Sequence, residues 1–271
     1  MPGVPLKALR VEVQEDLLRA SEVALKTCLG VKQGEVVLVV TDEYLREIGY
    51  HLWLKALELS GEAIYLEMKP RSMHGEEPPR PVAEAMKSAH VVVAPTSKSL
   101  THTQARKEAT ERGARVATMP GITRDIFVRT MGVDYNYVKR LTEAVAEVLD
   151  SGSRVRVVTE KGTNLEFSIE GRRARRSTGL FLNAGDWGNL PGGEAYIAPV
   201  EGTANGVVVV DGSMAGIGVL KEPIKMVFKD GVATVIEGGA EAKALNELLS
   251  RYGIEARQLG EFGIGTNPGA R

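Results

Sequence analysis

Residues 35–68 read EVVLVVTDEYLREIGYHLWLKALELSGEAIYLEM. The stretch opens on an apolar, β-branched run (EVVLVV, 35–40), passes through a helix-like segment that stops at Gly61, and closes on a second strand-like run (EAIYLEM, 62–68). A strand rich in Val and Leu without alternation suits a sheet covered on both faces, and a glycine at the end of a helix suits a C-cap. The pattern recurs downstream. HVVVAPT (90–96) and RVATMPG (115–121) are two further strand-like runs, with THTQARKEATERG between them. Strands alternating with helices at this spacing predict βαβ units and a parallel sheet. Residues 134–150, DYNYVKRLTEAVAEVLD, predict a helix capped by Asp134, with Val138, Leu141, Val145 and Val148 on one stripe.

Beyond residue 150 the periodicity changes. RVRVVT and LEFSIEG flank EKGTN, and in the second run Leu165, Phe167 and Ile169 alternate with polar residues, as in a half-buried strand. IKMVFKDGVATVIEGG is a hairpin with Asp230-Gly231 as a two-residue type I′ turn. EAKALNELLSRYG predicts an amphipathic helix ended by Gly253. The expected fold is α/β: a parallel-sheet α/β domain over residues 1–150, then a β-rich α+β domain over 151–271.

Bulk composition narrows the function classes. The chain has 271 residues, 43% hydrophobic and 25% charged, as in an ordinary globular protein. The 34 basic and 35 acidic residues nearly cancel, which argues against nucleic acid or an anionic membrane as the main partner. The single cysteine, Cys28, forbids an internal disulfide and a thiolate zinc cluster, and its setting in EVALKTCLG reads as packing. The N-terminal stretch becomes charged too early for a signal peptide and no apolar run approaches membrane-spanning length, so a cytoplasmic location is expected.

Nucleotide and nucleophile motifs fail. The first strand–helix junction, VVTDEYLRE, has no glycine to let backbone amides approach a phosphate, and GIGTNPG has the wrong spacing, with Pro268 where a helix would open. No GxSxG elbow occurs. His51, His74, His90 and His102 form no metal-binding pair. His51 and His90 read as structural, and His102 lies at a helix start where a capping role competes with ligand binding.

The carboxylates of the second half are the better lead. Glu194 in GNLPGGEAYIAP and Glu261 in QLGEFGIGTN both sit at glycine-bordered strand entries. Carboxylate oxygens are hard ligands for divalent ions, and glycine permits close approach of backbone. Spacing alone leaves each as an exposed strand-end glutamate or as a ligand, and favours the former.

NLPGGEAYIAPVEGTANG, GTNLEFSIEGR and LGEFGIGTNPGAR together resemble the thermophilic aminopeptidase T family of metalloaminopeptidases, in particular its leucyl-aminopeptidase-like branch, along the whole chain. The resemblance implies a hydrolase that removes N-terminal residues from peptides with two divalent metal ions, zinc or cobalt with manganese as a further candidate, and a homodimer. It places metal ligands on Glu194 and Glu261 and assigns no catalytic residue. It places the remaining ligands after Arg271, so the metal-site domain is expected to be incomplete. Asp186, Trp187 and Tyr196 are candidates for the border of a substrate cleft, with a turn and a packed indole as the competing reading of the first two. A non-haem iron(II) dioxygenase of the dihydroxypyridine type is similar to the same family and is the rival enzyme reading. A non-catalytic binding protein that keeps the fold is the third.

Overall fold

The computed structural model describes residues 11–271, so the first ten residues of the charged N-terminal stretch lie outside it. The chain divides into two compact units. The first runs to Thr142 and takes back Ser177–Glu194 and Gly265–Arg271; the second comprises Glu143–Arg176 and Ala195–Ile264. The change of periodicity near residue 150 falls inside a helix, and the chain crosses between units again further on.

The first unit is built on β1 (Val36–Asp42), β2 (Glu62–Met68), β3 (Val91–Ala94) and β4 (Arg115–Thr118). They pair in parallel in the order β2-β1-β3-β4. Alternate residues feed opposite layers. Val37, Val39, Val91 and Val93 pack with Leu17, Leu52, Phe127 and Tyr135, while Leu38, Val40, Val92 and Val116 pack with Met86, Ala105 and Ala109. Both faces of β1, β3 and β4 are therefore covered, which is why these runs show no polar alternation, while edge strand β2 leaves Ile64 exposed.

The helices follow their end signals. The helices of this unit are α1 (Glu15–Glu22), α2 (Arg46–Ser60), α3 (Arg80–Ser88), α4 (Gln104–Glu111) and α5 (Arg124–Met131). α1 runs on into a π-helical turn, Val23–Cys28. α2 ends on Gly61, whose φ of 79° places its N–H on the Leu57 carbonyl. The side chain of Thr103 caps α4 and that of Thr123 caps α5.

A helix, α6 (Tyr135–Ser151), spans the first change of unit. Asp134 accepts the Asn136 N–H at 2.9 Å, as an N-cap does. Its buried stripe is Tyr135, Val138, Thr142, Ala146 and Leu149, and Val148 is 70% exposed. The apolar spacing of Val138 and Val145 is real, but small and polar residues complete the stripe. Hydrophobicity alone misplaces its edge by about one residue.

The second unit is antiparallel. β5 (Arg154–Val158), β6 (Asn164–Ser168), β10 (Asn205–Val210), β13 (Ile224–Lys229) and β14 (Val232–Glu237) form one sheet in the order β14-β13-β10-β6-β5. Leu165, Phe167 and Ile169 are buried, as their alternation predicts. The turn between β13 and β14 has positive φ at both Asp230 (50°) and Gly231 (84°), the requirement of a type I′ turn. β11 (Ser213–Met214) and β12 (Gly218–Val219) make a small hairpin, and α7 (Ala240–Leu249) packs Ala242 and Leu245 against Ile224.

The remaining strands are short. β7 (Arg175–Ser177), β9 (Glu194–Ile197) and β15 (Phe262–Gly265) form a three-stranded sheet in the order β15-β9-β7. β8 (Trp187–Asn189) instead joins the first sheet beside β4, in parallel. No periodicity announces a three-residue strand, so the return of this segment to the first unit was not legible. Among the described residues no helix is long and apolar enough to cross a membrane.

Candidate functional site

The three-stranded sheet places the second unit's polar wall. Ala174, just before β7, is buried in the second unit's core, as are Ala195 and Ile197 of β9. Phe262 and Ile264 of β15 pack against the same core. Side chains alternate across a strand, so Arg175, Tyr196 and Glu261 take the face opposite those apolar residues. That face carries a cavity of about 520 Å³, with Arg172, Arg173, Arg175, Tyr196 and Glu261 in its lining.

The arginines there are not equivalent. Arg172 is ion-paired with Glu201. Arg173 and Arg175 are exposed and make no ion pair among the described residues. Arg176 is outside the cavity lining. It pairs with Asp150 at 2.6 Å and donates to the Ala174 carbonyl at 3.0 Å. The Ala174 N–H, the Arg176 guanidinium and the charge of Arg173 together hold the Asp150 carboxyl below its usual range.

Glu194 opens β9, half-buried, on the strand face it shares with Tyr196. The glycines before it meet chain, not ligand. A Cβ on Gly192 would lie 2.4 Å from the Gly179 Cα, and one on Gly193 would lie 2.6 Å from the Asn267 Cβ. Gly193 has φ of 121°, donates its N–H to the Ser177 carbonyl at 2.7 Å and accepts the Thr266 N–H at 2.8 Å. The Asn267 amide ties the same turn by donating to the Gly192 carbonyl at 2.9 Å. The PGG turn is thus required by close packing of backbone segments.

Asp186 accepts the Asn183 N–H at 2.8 Å and the Asn183 side-chain amide at 3.1 Å, and its own carbonyl accepts the Val116 N–H. Its carboxylate shapes a turn. Trp187 lies under a cation: the Arg106 guanidinium carbon is 3.7 Å from the indole centroid. His102 meets the same ring edge-on at 6.3 Å. Arg106 donates to the Thr101 carbonyl at 2.7 Å, and burial lowers its pKa from the usual arginine value.

The other polar candidates also have internal work. The His51 Nδ1 donates to the Glu47 carbonyl at 2.7 Å and its Nε2 accepts the Gln14 N–H at 2.9 Å. The Nδ1 atoms of His90 and His74 accept the backbone N–H groups of Val36 and Ser99. Cys28 is fully buried, and burial pushes its thiol pKa far up, so it is a packing residue. A smaller cavity of about 340 Å³, with Tyr44, Ile48, Ser97, Ile122 and Arg124 in its lining, lies beyond the carboxyl ends of β1 and β3. The buried Asp42 near it accepts the Ser97 N–H at 2.6 Å and the Ser97 hydroxyl at 2.7 Å, and Arg124 pairs with Asp16 at 2.8 Å.

Among the described residues no three His, Cys, Asp or Glu side chains converge as a metal site would require. The residues therefore do not fit a complete ligand set. Sequence reasoning missed Arg173 and Arg175, although GRRARRS around buried Ala174 held the signal: charges on both sides of a single apolar anchor.

Comparisons with known proteins bear on this geometry. The family profile described as NicX, 2,5-dihydroxypyridine 5,6-dioxygenase, matches residues 16–271. A sequence search of curated proteins finds no match. Among solved structures, the 2,5-dihydroxypyridine dioxygenase of Pseudomonas putida KT2440 is similar with a TM-score of 0.76 and 20% identity, covering 96% of this chain and 79% of that one. Wild-type AmpT of Thermus thermophilus is similar with a TM-score of 0.61 and 19% identity, covering 92% of this chain and 78% of that one. At these identities the structures speak for the fold.

The expectation of a metalloaminopeptidase is corrected by the profile. The hydrolase, protease and aminopeptidase readings, and the peptide substrate they imply, give way to a dioxygenase family matched along nearly the whole chain. The reason is physical. Gly192 and Gly193 serve the packing of a turn, so the motif around them reports the fold and does not decide the chemistry built on it.

Proposed function

The chain belongs to the NicX family, 2,5-dihydroxypyridine 5,6-dioxygenases, and from that membership we propose that it opens a hydroxylated pyridine ring with molecular oxygen. The observation that carries the reading is the family match over residues 16–271. In such a reaction the O–O bond and one ring carbon–carbon bond break, and each of the two ring carbons gains one oxygen atom. All atoms of substrate and oxygen remain in a single ring-opened product.

The second unit's cavity is the substrate site in this reading. Its volume of about 520 Å³ falls within the range of about 300–1,000 Å³ common for small-molecule sites. Arg173 and Arg175 make one end of the cavity positive and offer planar guanidinium donors to a bound molecule. Tyr196 supplies an aromatic wall for a planar heterocycle. Glu194 and Glu261 are the carboxylates we offer as ligands to a divalent ion, each by itself. Two carboxylates do not complete a ligand set.

Oxygen-electrode measurements test the reading. With iron(II) supplied, 2,5-dihydroxypyridine should draw one molecule of oxygen for each ring lost from the ultraviolet spectrum. No oxygen uptake with iron(II), or uptake without loss of the ring, contradicts it. The ligand assignment is checked separately by metal content, which E194Q and E261Q should each lower.

A further inference from the structure

The second unit's cavity carries more positive charge than a dihydroxypyridine can answer. Of its three guanidiniums, among the described residues that of Arg172 alone forms an ion pair, with Glu201. Arg173 and Arg175 face one cavity carboxylate, Glu261, with which neither forms an ion pair. Several arginines elsewhere, Arg71, Arg115, Arg124, Arg154 and Arg176 among them, each hold an acidic side chain. Arg176 is the telling neighbour, because the adjacent residue of the same strand takes Asp150 and the Ala174 carbonyl. A ring hydroxyl of phenolic type ionises near pH ~10, so two such groups leave the substrate uncharged at neutral pH.

We propose that the substrate carries an ionised carboxylate on its ring, which Arg173 and Arg175 bind in the second unit's cavity. The proposal rests on the ring-cleavage reading for the word substrate, and on the cavity's charge for the carboxylate. A carboxylate offers two oxygens, and the planar fork of each guanidinium matches that geometry. The ring would then lie beside Tyr196, with the acid group at the arginine end of the cavity.

The binding test uses metal-free full-length protein and two probes of one shape, 3-hydroxybenzoate and 3-hydroxybenzamide, titrated by calorimetry. The acid should bind at least about tenfold more tightly than the amide. The double variant R173Q/R175Q should lose that preference while its melting temperature stays within about a degree of wild type, and R176Q should keep it. Equal binding of acid and amide overturns the proposal. So does a preference that survives R173Q/R175Q, or one that R176Q removes equally, since that would be a general charge effect. An activity arm compares kcat/KM for a carboxylated dihydroxypyridine and for the unsubstituted ring, and the ratio should fall about tenfold in R173Q/R175Q, through KM. Acid preference without any ring cleavage removes the dioxygenase reading and supports the carboxylate site. Ring cleavage with no acid preference overturns the carboxylate site alone.

Discussion

The first unit and the cavity face of the second dispose of their polar side chains in opposite ways. In the first, polar groups are spent on the fold: Asp42 on Ser97, His51 on Glu47 and Gln14, Arg106 on Thr101 and Trp187, and Arg115 on Glu35 and the carbonyls of Leu29 and Gly30. In the second, the face of a three-stranded sheet carries Arg173 and Arg175 beside a cavity, with no ion pair among the described residues. Buried polar groups need internal partners because water cannot reach them, whereas exposed cations can wait for a ligand. Chemistry is therefore to be sought where partners are missing, and stability where they are present.

Gly192→Ala should break the first region most severely, by about 3 kcal/mol, because its Cβ meets backbone atoms of Gly179 that cannot move aside. Gly171→Ala, with φ of 72° and open space around its Cβ, should cost only about 1 kcal/mol. Denaturant unfolding of the two variants checks the contrast.

Glu35→Gln should cost about 2–3 kcal/mol by removing the carboxylate that receives Arg115 at 2.7 Å. Burial raises the Glu35 pKa, but the Arg115 hydrogen bonds and the Lys32 N–H outweigh it and hold the carboxyl below its usual range. A depressed carboxyl stabilises the fold above its unfolded pKa and ceases to do so as pH falls through the folded value. The stability gap between wild type and Glu35→Gln should be full at neutral pH and should close in acid, below the ordinary glutamate value of 4.5. A gap that is constant with pH contradicts the ion pair.

Val138→Ala should cost about 2 kcal/mol, while Val148→Ala, at a residue 70% exposed, should stay within about 0.5 kcal/mol. Trp187→Ala should cost about 1 kcal/mol through the lost Arg106 stack and leave kcat/KM unchanged. A fall in kcat/KM without loss of stability would instead return Trp187 to the substrate cleft. The smallest stability effect belongs to Arg175→Gln, within about 0.5 kcal/mol, because no ion pair among the described residues is lost.

Most of the first unit was legible, since strands covered on both faces are continuous apolar runs and helices end on glycine or begin on threonine. The Asp230-Gly231 turn was equally plain. What stayed hidden were features with no period: the three-residue β8, and the α6 stripe completed by Thr142 and Ala146. At the candidate site Glu261 was visible at a glycine-bordered strand entry, and Tyr196 as a cleft candidate in the strand that Glu194 opens. The arginines were overlooked because a charged run reads as solvated surface until a fold gives it a concave side. The reaction was misread because the PGG turn answers to backbone packing within this chain, which does not report a chemistry.

The most direct test of the central claim is mass spectrometry of the product formed from 2,5-dihydroxypyridine under ¹⁸O₂, with iron(II) supplied. The account predicts one ring-opened product carrying two labelled oxygen atoms. A product with one label or none contradicts it.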